Sequence, residues 1–163
     1  MLFFRQSPYL KNSFRLADLI AAIQVLGTYQ FASRTLEKWE KRLGRKPMSA
    51  DSWLQVFREH PEFFTIQDEE LVSVVWRRSR ERVFDTLNGQ VLGWSEAAKM
   101  KQEENQDGYE KRLSRPPLST AEVSKLIDIA INLHEREIKH RQERRWWITA
   151  AIGILGLVIS AFV

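Results

Sequence analysis

Residues 53–76 read WLQVFREHPEFFTIQDEELVSVVW, and the hydrophobic period changes inside them. Up to His60 the apolar positions Trp53, Leu54 and Phe57 recur at helical spacing, with Ala50 one turn earlier, and Pro61 closes the run. Beyond it FFTI and LVSVVW are short, aromatic and β-branched. The polar turn QDEE separates them, so the pair is predicted to be a hairpin.

Working back from this stretch, the third helix is expected to start at Ser49. Before it, SRTLEKWEKRLG offers Ser33 as a cap, Leu36, Trp39 and Leu43 as one apolar face, and Gly44 as the stop. FRLADLIAAIQVLG, residues 14–27, places Leu16, Leu19, Ile20, Ile23 and Leu26 on one face, with Gly27 as its stop. Three short helices followed by a hairpin resemble the winged helix-turn-helix superfamily. The stretch 53–76 is most similar to the LOTUS-type group, where a helix runs through a Pro-x-x-Phe corner (here Pro61 to Phe64) into the wing. The resemblance covers roughly residues 14–76 and implies a fold, not an activity.

Working forward, RRSRERVFDTLNGQVLGW is a basic run with an Asn88-Gly89 turn, and Ser95 caps a polar helix interrupted near Asp107-Gly108. Few apolar positions recur there, so residues 85–118 read as a weakly packing connector. The next start is sharply marked. Ser119 and Glu122 have capping-box spacing, Leu118 and Val123 that of a hydrophobic staple, and Pro116-Pro117 bars any helix from crossing in. Val123, Leu126, Ile127, Ala130, Leu133 and Ile138 then form a stripe, and one helix is expected from about 120 to 163, roughly 65 Å long.

Its end, RRWWITAAIGILGLVISAFV (144–163), is apolar from Trp146 on. Eighteen uncharged residues rise about 27 Å as a helix, close to the ~30 Å hydrocarbon core. Arg144 and Arg145 with Arg136, Lys139 and Arg141 form a basic collar, and Trp146 and Trp147 suit a headgroup layer. The fold class expected is thus mainly α. An extension (1–13) precedes a winged-helix domain of three helices plus β-hairpin (14–84). A polar connector (85–118), an amphipathic helix (119–145) and one transmembrane helix (146–163) follow. The expected localisation is single-pass and tail-anchored, with the N-terminal domain cytoplasmic, at a bacterial inner membrane. A LADLIAAI…HPEFF…WRR front joined to a PL…LI..AI.LH.R…RRWW rear is similar to small bacterial membrane-anchored proteins, a resemblance that carries no site.

Within the apolar run Thr149, Gly153, Gly156 and Ser160 share a helix face, as close-packing spans require, although small residues are also simply common in spans. If the face is an interface, Val123, Leu126, Ala130 and Leu133 extend it below as a self-association stripe.

The formal charge of +4 on 163 residues is uneven: residues 1–84 hold fourteen Lys/Arg against ten Asp/Glu, while 85–163 balance at eleven each. Charged residues are 28% of the chain and mean hydropathy is −0.37. Arg34, Lys38, Lys41, Arg42, Arg45 and Lys46, joined by Arg77, Arg78, Arg80 and Arg82, are candidate phosphate or lipid-headgroup contacts, or else a solvated face. Base readout is weakly provided for, because the outward positions of the third helix are Asp51, Gln55 and Glu59, with only Arg58 basic.

With no cysteine there is no disulfide, thiolate nucleophile or cysteine-bound metal. His134 and His140 are six apart, off the three-or-four spacing that stacks metal ligands, and no HExxH, GxSxG, Walker A or GxGxxG occurs. Asp68, Glu69 and Glu70 read as a solvated wing tip. No catalytic residue, cofactor or metal is expected. Three functions remain open: a membrane-held adaptor that binds a cytoplasmic protein and itself, a membrane-disrupting toxin or defence effector, and a membrane-tethered nucleic-acid receptor. The expected partners are accordingly membrane lipid, a second copy of the chain, an unidentified cytoplasmic protein, and nucleic acid.

Overall fold

Leu19, Ala22, Ile23 and Leu26 occupy one face of the first helix and are wholly buried, so this helix is the post around which the chain winds. The computed structural model describes residues 7–67, 71–103, 108 and 112–160, with side chains except at 103, 144–145 and 148–160. A 3₁₀ turn at Pro8–Leu10 leads into α1 (Arg15–Thr28), then β1 (Ser33–Thr35), α2 (Leu36–Leu43) and α3 (Trp53–Glu59). Next come β2 (Phe64–Gln67), β3 (Leu71–Val74) and a short α4 (Val75–Arg78). The strands form a three-stranded antiparallel sheet in the order β1-β3-β2, with Phe64 opposite Val74 and Ser33 opposite Ser73.

Sheet and helices meet in one core. Trp39 and Trp53 are buried and each satisfies its indole N–H, Trp39 on the Val72 carbonyl at 2.9 Å and Trp53 on the Arg45 carbonyl at 2.7 Å. The two bonds tie α2 to β3, and α3 back to the segment leaving α2. Gly44 ends α2 in the left-handed region at φ 76°, where a Cβ would be strained. Ser52, rather than Ser49, caps α3, its hydroxyl accepting from Gln55 N at 3.3 Å. Ser49 instead clamps the buried Asp18, giving its amide at 2.8 Å and its hydroxyl at 2.6 Å to Oδ2. Ser33 likewise caps nothing, because its backbone is a strand that pairs with β3.

Residues 85–118 are not the weakly packed connector their composition suggests. Phe84–Asp85 (β4) pairs with both Gln90–Val91 (β5) and Leu113–Ser114 (β6), and α5 (Trp94–Glu103) lies between β5 and β6 in the chain. Asp85 holds this second sheet. It accepts from Leu87 N and Asn88 Nδ2 at 2.9 and 2.8 Å, with Arg112 at 3.1 Å on the same carboxylate. Gly89, at φ 68°, closes the turn between β4 and β5.

The last helix, α6 (Thr120–Ser160), begins as the capping box requires, with Ser119 N bonded to Glu122 Oε2 at 2.8 Å and Glu122 N to Ser119 Oγ at 3.3 Å. Its buried Val123, Leu126 and Ala130 pack into the core built on α1. Gly27 allows the close approach: a Cβ there would lie 3.3 Å from Leu118 and 3.4 Å from Val123.

Three expectations are corrected by these observations. The chain is mixed α/β rather than mainly α, because aromatic and β-branched segments pair into two three-stranded sheets instead of a single hairpin. The expected transmembrane helix is not shown: among the described residues no helix is long and apolar enough to cross a membrane. The single-pass, tail-anchored localisation falls with it. Finally, Val123, Leu126 and Ala130 are covered by the chain's own core, and Leu133 is partly buried against it, so this stripe is not a self-association surface. The small-residue face at Thr149, Gly153, Gly156 and Ser160, the side chains of Arg144 and Arg145, and the turn Asp68–Glu70 lie outside the described residues or side chains.

Candidate functional site

Two groups of cations, which a list of basic residues merges into one, are separated by the fold. The first lies on α2 and the segments flanking it. Tyr29 ends α1 in extended backbone, and β1 turns Arg34 back over it: the guanidinium is 5.1 Å from the Tyr29 ring centroid and 5.5 Å from that of Phe31. Arg42, two turns along α2, reaches the same ring at 4.8 Å. Tyr29 is braced from below by Trp39, edge to face at 5.7 Å.

Around this arginine-flanked ring runs a cleft of about 540 Å³ lined by Tyr29, Arg34, Glu37, Lys38, Lys41 and Arg42. A second of about 410 Å³ shares Tyr29 and Arg42 and continues toward Phe84 and Pro117. Lys38, Lys41, Arg42, Arg45 and Lys46 are exposed. Among the described residues neither these five nor Arg34 makes an ion pair. Glu37 and Glu40 lie on the same short helix, but the face keeps a local positive excess.

No protein-family model, curated protein or solved structure matches this chain.

The third helix presents the opposite picture. Glu59, an outward candidate by sequence, turns back to Lys11 at 2.5 Å and to the buried Arg15 at 2.9 Å, and also accepts from Gln55 at 3.1 Å. Burial pushes its carboxyl up. The hydrogen bonds from Lys11 and Gln55, with the Arg15 charge, outweigh that and hold it below the usual glutamate range. Gln55 in turn accepts from Asp51 N at 3.4 Å. The polar groups of α3 thus serve one another and the N-terminal segment, leaving Arg58 as its exposed charge, with Asp51 exposed just before it.

The second basic group is centred on Arg77, which is not a phosphate contact at all. It is wholly buried, and its guanidinium donates to five backbone carbonyls: Leu26, Tyr29 and Phe31 from Nη1 at 3.0, 2.6 and 3.2 Å, Gln30 and Arg115 from Nη2 at 3.4 and 2.6 Å. Burial, then repulsion from Arg80 and Arg115, lowers its pKa to about 10. It pins the turn after α1 to the strand that leads to α6. Arg80 is half-buried, donating to the Pro117 carbonyl at 2.9 Å and pairing with Glu122, whereas Arg78 is exposed. Of the ten basic positions singled out, then, Arg34, Lys38, Lys41 and Arg42 converge, Arg45 and Lys46 follow on the exit of α2, and Arg77, Arg78, Arg80 and Arg82 belong elsewhere.

An acid–base cluster absent from the sequence reading joins two buried side chains, Tyr9 and His60, to the exposed Glu62. His60 Nδ1 lies 3.0 Å from Glu62, which also accepts from the Tyr9 hydroxyl at 2.5 Å, and the Tyr9 and His60 rings meet edge to face at 4.7 Å. Burial and the adjacent Glu62 raise the Tyr9 phenol. For Glu62 itself, burial is outweighed by hydrogen bonds from His60 and Tyr9, which keep it ionised. His60 and Tyr9 are both buried, so the cluster joins the N-terminal turn to the end of α3. Among the described residues no three metal-ligating side chains converge. Sequence spacing signalled neither this cluster nor the role of Tyr29, since each is assembled from segments far apart in the chain.

Proposed function

We propose that this chain is a non-enzymatic recognition module that binds an acidic protein segment on the face made by Tyr29, β1 and α2. Helix, strand, two helices and two strands, with sheet order β1-β3-β2, support the winged-helix reading for residues 15–78. In the nucleic-acid-binding use of such a fold the third helix carries the contacts. Here the exposed charge of α3 is Arg58 alone, Asp51 stands exposed just before the helix, and Glu59 is tied to Lys11 and Arg15. The observation that carries the proposal is the shift of positive charge to α2, where Arg34, Lys38, Lys41 and Arg42 surround a supported aromatic ring without an ion-pair partner among the described residues. Carboxylates on an extended segment complement the cations, and an apolar residue between them covers Tyr29.

The test is fluorescence anisotropy of a labelled glutamate-rich peptide titrated with the full chain at low and moderate salt. Binding should weaken with salt, and Lys38→Glu with Lys41→Glu should reduce it at least about tenfold while leaving thermal stability unchanged. Duplex or single-stranded DNA bound more tightly than the peptide at the same ionic strength would refute the protein-partner reading in favour of a nucleic-acid one. No binding of either would refute the face as a site.

A further inference from the structure

A second pocket lies at the junction of α4, the second sheet and α5, apart from the α2 face. It encloses about 400 Å³, within the range of small-ligand sites (roughly 300–1,000 Å³), and its walls carry Arg80, Arg82, Arg115 and Trp94 over a floor that includes the buried Ala97. We propose that this pocket binds a nucleoside phosphate, with the phosphate on Arg115 and the base against Trp94.

Three independent features lead there. Arg115 donates from Nε to the Arg80 carbonyl at 2.9 Å, which fixes its orientation, yet among the described residues neither terminal nitrogen of its guanidinium has a hydrogen-bond partner. A planar two-pronged donor held by its stem and open at its tip is the geometry that grips a phosphate. The positive charges of its neighbours also bear on it: burial, then repulsion from Arg82 and Arg78, lowers the Arg115 pKa. An anion relieves that repulsion.

Trp94 supplies the third feature. It opens α5, is 69% exposed, and presents a large flat ring beside small alanines that leave room for a second ring. An exposed indole at the mouth of a cationic pocket suits a planar group stacking on it. A bare inorganic anion uses the arginine and not the tryptophan, which is why the ligand class is a nucleoside phosphate and not phosphate alone. This reading stands apart from the acidic-peptide face: the two share no lining residue.

Isothermal titration of the full chain with ATP, pyrophosphate and adenosine tests it. ATP should bind more tightly than pyrophosphate, and adenosine should show no measurable heat. Arg115→Ala should weaken ATP at least about tenfold and pyrophosphate equally. Trp94→Ala, on an exposed residue that leaves folding intact, should weaken ATP by roughly three- to tenfold and leave pyrophosphate unchanged. Lys38→Glu with Lys41→Glu, on the other face, should leave ATP binding within about twofold. Absence of ATP binding, equal affinity for ATP and pyrophosphate, Trp94→Ala without effect, or loss of binding in the α2 variant would each overturn the assignment.

Discussion

Replacing Arg77 should damage this protein more than any change on its surface, because one guanidinium terminates five carbonyls drawn from two distant segments. Nη1 shares its two protons among three acceptors and Nη2 has a strong partner in Arg115, so about three bonds of full strength are made. Hydrogen bonds to a charged donor contribute about 1.5–3 kcal/mol each, and a buried acceptor left unpaired costs about 1–3 kcal/mol. Against this stands the cost of burying the cation, evident in a pKa lowered to about 10 by burial and by Arg80 and Arg115. The net loss for Arg77→Met should be about 3–5 kcal/mol, the usual range for stripping one side of a buried ionic network. At about 2–4 °C per kcal/mol for a chain of this size, the melting temperature should fall by roughly 6–20 °C. Urea denaturation followed by circular dichroism measures the first, and a thermal scan the second. Arg77→Lys should recover less than half of the loss, since a single ammonium cannot reach carbonyls on both sides. A methionine variant within about 0.5 kcal/mol of the native chain, or full rescue by lysine, would show that the carbonyls are satisfied without Arg77 and that the reasoning is wrong.

Two more outcomes follow from the packing of α6. Leu126→Ala removes a wholly enclosed side chain and should cost about 2–5 kcal/mol with sedimentation unchanged; a change in association state at constant stability would restore the stripe as an intersubunit surface. The Glu122 carboxyl is held at about 2, first by Arg80 and then by Ser119, against an ordinary value of 4.5. A lowered carboxyl stabilises the fold above the unfolded value, and that contribution disappears as pH falls from about 4.5 toward 2. Stability measured across this window should therefore drop more steeply in the native chain than in Glu122→Gln; parallel curves would place the acid sensitivity in Glu59 or Asp85 instead.

The order of the elements was legible because period and punctuation are local. The change from helical to alternating spacing across Pro61, the left-handed stop at Gly44, and the Ser119–Glu122 box each act within a few residues, and each appears where the spacing places it. Other features depend on partners that no window of sequence contains. Ser33–Thr35 is a strand only because β3 offers it a ladder, and Asp85 and Arg112 make a sheet of what reads as a polar linker. The basic residues show the limit most directly. Composition supplies the number of cations, but the same guanidinium is an internal clasp at Arg77, a brace on Tyr29 at Arg34, and a half-open fork at Arg115.

What the sequence by itself determined is the stop of α2 at Gly44, the start of α6 at Ser119, and that positive charge gathers in the first half of the chain. What only the tertiary structure decided is which of those charges remain at the surface. It also decided that the stripe on α6 is spent inside the core. Burial and pairing depend on segments tens of residues apart meeting, and a side chain's electrostatic role is set by that meeting and not by its neighbours in the chain.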